Sequence, residues 1–122
     1  MGIRARIYPV CAASTGVQAV LGDPPELWPF GEVPESTPYP YAVWQNVGGA
    51  PENYINQTPD MDSYSLQVDV YGNTSASVTD VARALRDAIE PHAHITSWLG
   101  QSMDRETKRY RYTFSVDWFK SR

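Results

Sequence analysis

One cysteine, Cys11, stands in a chain of 122 residues. A lone thiol excludes an intrachain disulfide framework and fits a reducing compartment. In that setting the sequons Asn56-Gln57-Thr58 and Asn73-Thr74-Ser75 carry little meaning. No apolar run approaches the roughly 20 residues of a membrane-spanning helix. The opening MGIRARIYPVCAAS lacks a continuous apolar stretch, so it reads as a helix and not as a signal peptide. Positive charge is scarce as well: 10 Lys and Arg stand against 14 Asp and Glu, a net charge of −4. The basic face of a nucleic-acid binder is missing. The densest cations, Arg105, Lys108, Arg109 and Arg111, are interleaved with Asp104 and Glu106. Such a surface is compatible with DNA passing nearby without being held. There is no P-loop, no G-x-G-x-x-G and no nucleophile elbow.

What is present describes a globular chain. Hydrophobic residues make up 42% and charged residues 20%, outside the disordered range. The length predicts one domain over residues 1–122, long enough to bury roughly two thirds of its unfolded surface.

The stretch from Ser63 to Pro91 organises the rest. Tyr64, Leu66, Val68 and Val70 alternate with Ser65, Gln67 and Asp69, which is the period of a half-buried strand. After the turn formers Gly72-Asn73-Thr74-Ser75 the period changes. Val78, Val81, Ala82, Leu85, Ala88 and Ile89 recur at helical spacing. Ser77 with Asp80 fits a capping pattern for that helix, and Pro91 ends it. Two apolar faces, one per element, must cover each other.

Around this pair the chain predicts a helix from about Ile7 to Ala13 and a second short turn from Val17 to Leu21, then strands over Tyr41 to Val47, Ile95 to Met103 and Lys108 to Lys120. On the last strand Tyr110, Tyr112, Phe114, Val116 and Trp118 share a face, and Phe119 lies on the other. That strand is longer than a small domain needs, so one end is expected to project and pair elsewhere. The expected fold class is α+β, a mostly antiparallel four-stranded sheet with helices on one face. Trp44, Tyr71, Trp98 and Phe119 are expected to reach the second face, depending on register.

Two connections stand out. Six of the ten prolines fall between residues 23 and 40, among Trp28 and Phe30. They bar regular structure, leaving either an ordered loop pinned by aromatic side chains or an arm that orders on a partner. Residues 49–62 are long and polar, with Glu52, Asn53, Tyr54, Ile55, Asp60 and Asp62 among them. Tyr54 and Ile55 either tuck back onto the sheet or meet a neighbouring subunit. Trp28, Phe30, Glu52, Asn53, Tyr54, Ile55, Asp60, Asp62 and Phe119 are the candidate interface residues.

Catalytic and metal chemistry find little support. His92 and His94 share a strand face but lack a third ligand nearby, and read as surface histidines. Asp60, Asp62 and Glu52 offer oxygens for a hard cation without calcium-loop spacing. Cys11 falls on an apolar helical face and reads as a buried thiol. Asp80, Arg83, Arg86, Asp87 and Glu90 make an ordinary solvated helix face. No catalytic residue, metal site or cofactor is expected.

Several stretches in order resemble the small tail terminator or tail completion proteins of long-tailed bacteriophages and prophages. They are AVLGD at Ala19 to Asp23, PYAVWQ at Pro40 to Gln45, LQVDVYG at Leu66 to Gly72, VTDVARALRDAIEP at Val78 to Pro91, and YRYTFSVDWF at Tyr110 to Phe119. The loop 49–62 departs most from the family. The resemblance implies a non-enzymatic virion protein, assembled in the host cytoplasm, whose copies form a hexameric ring at the head-proximal end of the tail tube. It implies as partners the tail tube protein, a head–tail connector or stopper, and the chain itself. DNA would pass through without specific binding, and no membrane is involved. A head–tail joining or stopper protein of the neck is the alternative within virion assembly. A small enzyme or ligand-binding domain, using the sheet face near Trp44 and Trp98, is the alternative outside it.

Overall fold

The computed structural model describes residues 7–48 and 61–121. Their elements run α1 (Ile7–Ala12), α2 (Thr15–Leu21), β1 (Leu27–Pro29), β2 (Tyr41–Gly48), β3 (Met61–Gly72), α3 (Ser75–Ile89), β4 (His94–Met103) and β5 (Tyr110–Ser121). The sheet has five strands in the order β1-β2-β3-β5-β4. All neighbours are antiparallel except β1 and β2, which are parallel.

The α+β class holds, and the expected four strands become five. The extra strand, β1, lies inside the proline-rich stretch. Prolines remove donors but leave carbonyls free, and the one-sided ladder of an edge strand needs little more. The Ala42 N–H donates to the Glu26 carbonyl at 2.9 Å and the Phe30 N–H to the Trp44 carbonyl at 2.9 Å. With Thr37 also turned onto the Pro34 carbonyl, the described residues of this stretch form an ordered loop laid along β2.

The core lies between one sheet face and the helices. Leu66, Val68 and Val70 of β3 and Phe114, Val116 and Trp118 of β5 supply the sheet side, as alternation predicts. Val78, Val81, Ala82, Leu85 and Ile89 of α3 supply the helix side, joined by Ile7 and Cys11 of α1 and Val17 and Leu21 of α2. The α3 start differs from the sequence expectation. Thr74, not Ser77, is the N-cap, and its hydroxyl accepts the Ser77 N–H at 3.0 Å. Thr74 keeps the extended backbone that a cap requires, so Ser77 is already inside the first turn. Gly72 makes this tight entry feasible, because a Cβ there would stand 2.9 Å from Val78 Cγ1.

The long last strand is not left without a partner. β5 pairs with β3 over its whole length, from Gly72 opposite Tyr110 to Met61 opposite Ser121. Beyond Ser65 and Asp117 no described residue of β2 or β4 is in register with this pair, so among the described residues the two strands continue as a ribbon. The far end therefore runs on, paired to its own chain.

Candidate interaction surfaces

Register decides which aromatic residues face where. Trp44 stands opposite Val68, whose side chain is in the core, so Trp44 turns to the helices and not to the second face. Trp98 stands opposite Phe114, with ring centroids 4.9 Å apart, and meets Tyr112 edge-on at 5.8 Å. It also lies on the helix-bearing side, at the sheet margin. Of the four aromatic residues expected on the second face, Tyr71 is there, opposite Tyr41. The backbone of Phe119 pairs with Ser63.

The second face is polar along its centre. Asp69 and Thr113 are 5% and 8% exposed, and the Thr113 hydroxyl donates to Asp69 Oδ1 at 2.6 Å. Gln67 Nε2 donates to both carboxylate oxygens, at 3.1 and 3.3 Å. Ser65 donates to Asp117 at 2.9 Å across the same strands. Three donor contacts satisfy the buried carboxylate, so the row is a built network that fixes strand register. A substrate site on this face near Trp44 and Trp98 has lost its premise, because neither indole faces it.

Three surfaces remain. The first is the β1 edge, where Tyr8, Glu26, Trp28, Pro29, Glu32 and Trp44 border a cleft of about 400 Å³. The Trp28 indole N–H donates to Glu26 Oε1 at 3.0 Å. The Trp44 indole N–H is buried and has no partner among the described residues. Phe30, next in the chain, is 67% exposed. Of the interface candidates in this stretch, Trp28 is half-buried beside the cleft and Phe30 is exposed.

The second surface is a cleft of about 550 Å³ at the end of the sheet that carries the β4–β5 turn. Tyr39, Tyr41 and Tyr71 form a row with ring centroids 5.3 Å apart at each step. Arg109 sits over the Tyr39 ring, 4.9 Å from its centroid. Burial, and then the Tyr39 and Tyr71 phenols beside it, push the Tyr41 hydroxyl pKa up. The turn itself is set by Asp104, whose carboxylate accepts the Glu106 and Thr107 N–H groups, while Lys108 adopts a positive φ of 61°. Sequence reasoning saw the cations of this turn but not their tyrosine partners, which the β2–β3 register brings together.

The third surface is the outer edge of β4. Two irregularities interrupt its pairing, between Ile95 and Ser97 and between Trp98 and Gly100. Gly100 has φ +90°, a backbone that a side chain would strain. The second irregularity leaves Leu99 62% exposed beside exposed Trp98 and Met103. The Leu99-Gly100 pair was the available signal, since a glycine in a strand marks a bulge. Gln101 ties this edge back to α3, accepting from Ser75 Oγ at 2.7 Å and donating to Thr79 Oγ1 at 3.1 Å.

Of the remaining candidate residues, Glu52, Asn53, Tyr54, Ile55 and Asp60 lie outside the described residues. Asp62 belongs to β3, its backbone opposite Lys120. Among the described residues no three His, Cys, Asp or Glu side chains converge as metal ligands. No described helix is long and apolar enough to cross a membrane. Cys11 is fully buried, and desolvation pushes its thiol pKa from 9.0 to about 12.

A family model described as Tail completion protein gp17 matches residues 5–120. Comparison with curated proteins gives no match.

Proposed function

The chain belongs to the tail completion protein gp17 family, structural proteins of the phage tail, and on that premise we propose that it closes the tail. Copies assemble as a ring, a hexamer, on the head-proximal end of the tail tube. The ring ends tube polymerisation and offers its other side to the head connector. The family match over residues 5–120 carries this reading. The structure supports it in a general way: its distinctive surfaces are sheet edges and aromatic clefts, features suited to protein partners. A closed ring needs heterologous contacts, with different patches meeting on successive copies. The net charge of −4 suits a channel that lets DNA pass without specific binding.

Electron microscopy of purified protein mixed with tail tubes grown without a terminator tests the proposal. Density on one end of each tube, with tube length fixed thereafter, is expected. Bare tubes that keep growing overturn it. The loop 49–62 enters the same assay: Tyr54→Ala is expected to melt like the parent yet cap tubes less well. Unchanged capping would remove that residue from the interface.

A further inference from the structure

We propose that the cleft at the β4–β5 turn is a recognition site for an extended acidic segment of a protein partner, whose carboxylates meet Arg109 and Arg111. The cleft belongs to a single chain and needs no ring to form.

Five side chains make a closed circuit around it. Strand register sets Arg111 opposite Tyr71, and Tyr71 opposite Tyr41. Tyr39 stacks on Tyr41 with centroids 5.3 Å apart, and Arg109 lies 4.9 Å from the Tyr39 centroid. Arg109 precedes β5 and Arg111 is its second residue, so the circuit closes along the chain. All five line the same cleft of about 550 Å³, within the range of ligand sites.

Charge selects the ligand. Arg109 and Arg111 are exposed, and neither has an Asp or Glu within ion-pair distance among the described residues. The α3 cations differ: Arg83 pairs with Asp80, and Arg86 with Asp87. Arg109 Nη1 donates to the Thr107 carbonyl at 3.4 Å, which leaves the rest of its fork for a ligand. The single acid lining the cleft, Asp104, accepts the Glu106 and Thr107 N–H groups through Oδ1 and is committed to the turn. The Tyr41 hydroxyl, kept protonated by burial, is a further donor at neutral pH. Guanidinium forks match a carboxylate, which accepts two bonds side by side, and the phenol rings between them can carry the apolar stem of an acidic side chain.

Spacing selects an extended peptide. Arg109 and Arg111 stand two residues apart along one strand direction, roughly 7 Å. Alternate residues of an extended segment repeat at the same interval, so acids at i and i+2 meet both cations. A long polyanion such as DNA is disfavoured by the net charge of −4, whereas a short acidic segment meets chiefly the local field of the cleft.

Amide NMR of the purified chain, titrated with a six-residue peptide of alternating glutamate and serine, tests this. Saturable shifts centred on Tyr41, Tyr71, Ser102 and Arg111 are expected. A peptide of alternating glutamine and serine should cause none. Arg111→Gln and Arg111→Glu change an exposed position and are expected to melt like the parent. The first should bind the acidic peptide about tenfold more weakly, and the second should instead take a peptide of alternating lysine and serine. Arg83→Gln, on α3, should bind like the parent. Absent shifts, shifts centred elsewhere, or an equal response to the glutamine peptide overturn the proposal. So does undiminished binding by Arg111→Gln. A thymidine oligonucleotide that binds these residues more tightly than the acidic peptide also overturns it and assigns the cleft to nucleic acid. Should a variant lose its fold, the shifts of the parent and the glutamine control decide. Peptide bound while tail tubes stay uncapped rejects the tail role alone, and capped tubes without peptide binding reject the cleft alone.

Discussion

Asp69 and Thr113 illustrate how much one buried pair decides in this protein. A carboxylate 5% exposed on a sheet face is tolerable because Thr113 and Gln67 donate to it. Thr113→Val keeps the shape and removes the shortest of those bonds. It should cost about 1.5–3 kcal/mol in urea denaturation, and a loss below half a kilocalorie would show the network to be incidental. Cys11 makes a second prediction. The folded chain holds its thiol neutral up to about pH 12, whereas the unfolded thiol ionises near 9.0. The folded state therefore binds more protons above that value, and the stability it gains from this group is full below pH 9 and declines as pH rises towards 12. The stability advantage of the parent over Cys11→Ala should narrow across that window. The same burial predicts that thiol reagents label Cys11 only as fast as the chain opens.

Among the elements, α3 governs the fold, and its energetics are the most readily predicted. Leu85 is fully buried between α3 and the sheet. Leu85→Asp places an unpaired charge there and should unfold the chain outright, at a cost of several kcal/mol. The helix start is a gentler test: Thr74→Ala removes the oxygen that accepts the Ser77 N–H, with about 1 kcal/mol expected from thermal melting. An unchanged melting temperature would mean that the cap is satisfied by water. β3, α3 and β5 were legible in sequence because period 2 and period 3.6 report burial directly. β1 was not legible. Three residues in a run of prolines hold no period, and only the neighbouring β2 makes them a strand.

At the scale of the whole molecule, strand order places the charges: Asp23, Glu26, Glu32 and Glu35 lie in the stretch that holds β1, and Arg109 from the β4–β5 turn stands over the Tyr39 ring. The candidate surfaces were partly legible. The proline-rich stretch with Trp28 and Phe30 stood out, and the cations at 105 to 111 were plain in the sequence. The placement of Arg109 over Tyr39 was not, because it depends on strand order and register.

By itself, the sequence determined the helices, the long strands, the apolar faces of α3, β3 and β5, the burial of Cys11 and the ordered motifs of the tail completion family. These follow from local periodicity and from the cost of leaving apolar area in water, both of which act along the chain. Tertiary structure decided which strands are neighbours and in what register. That choice turned Trp44 inward, moved Trp98 to the helix side, brought Tyr39, Tyr41 and Tyr71 together with Arg109 over the first of them, and left β1 and β4 as edges. The physical reason is that a one-residue shift of a strand reverses every side chain on it, and pairing between residues tens of positions apart is what selects the register.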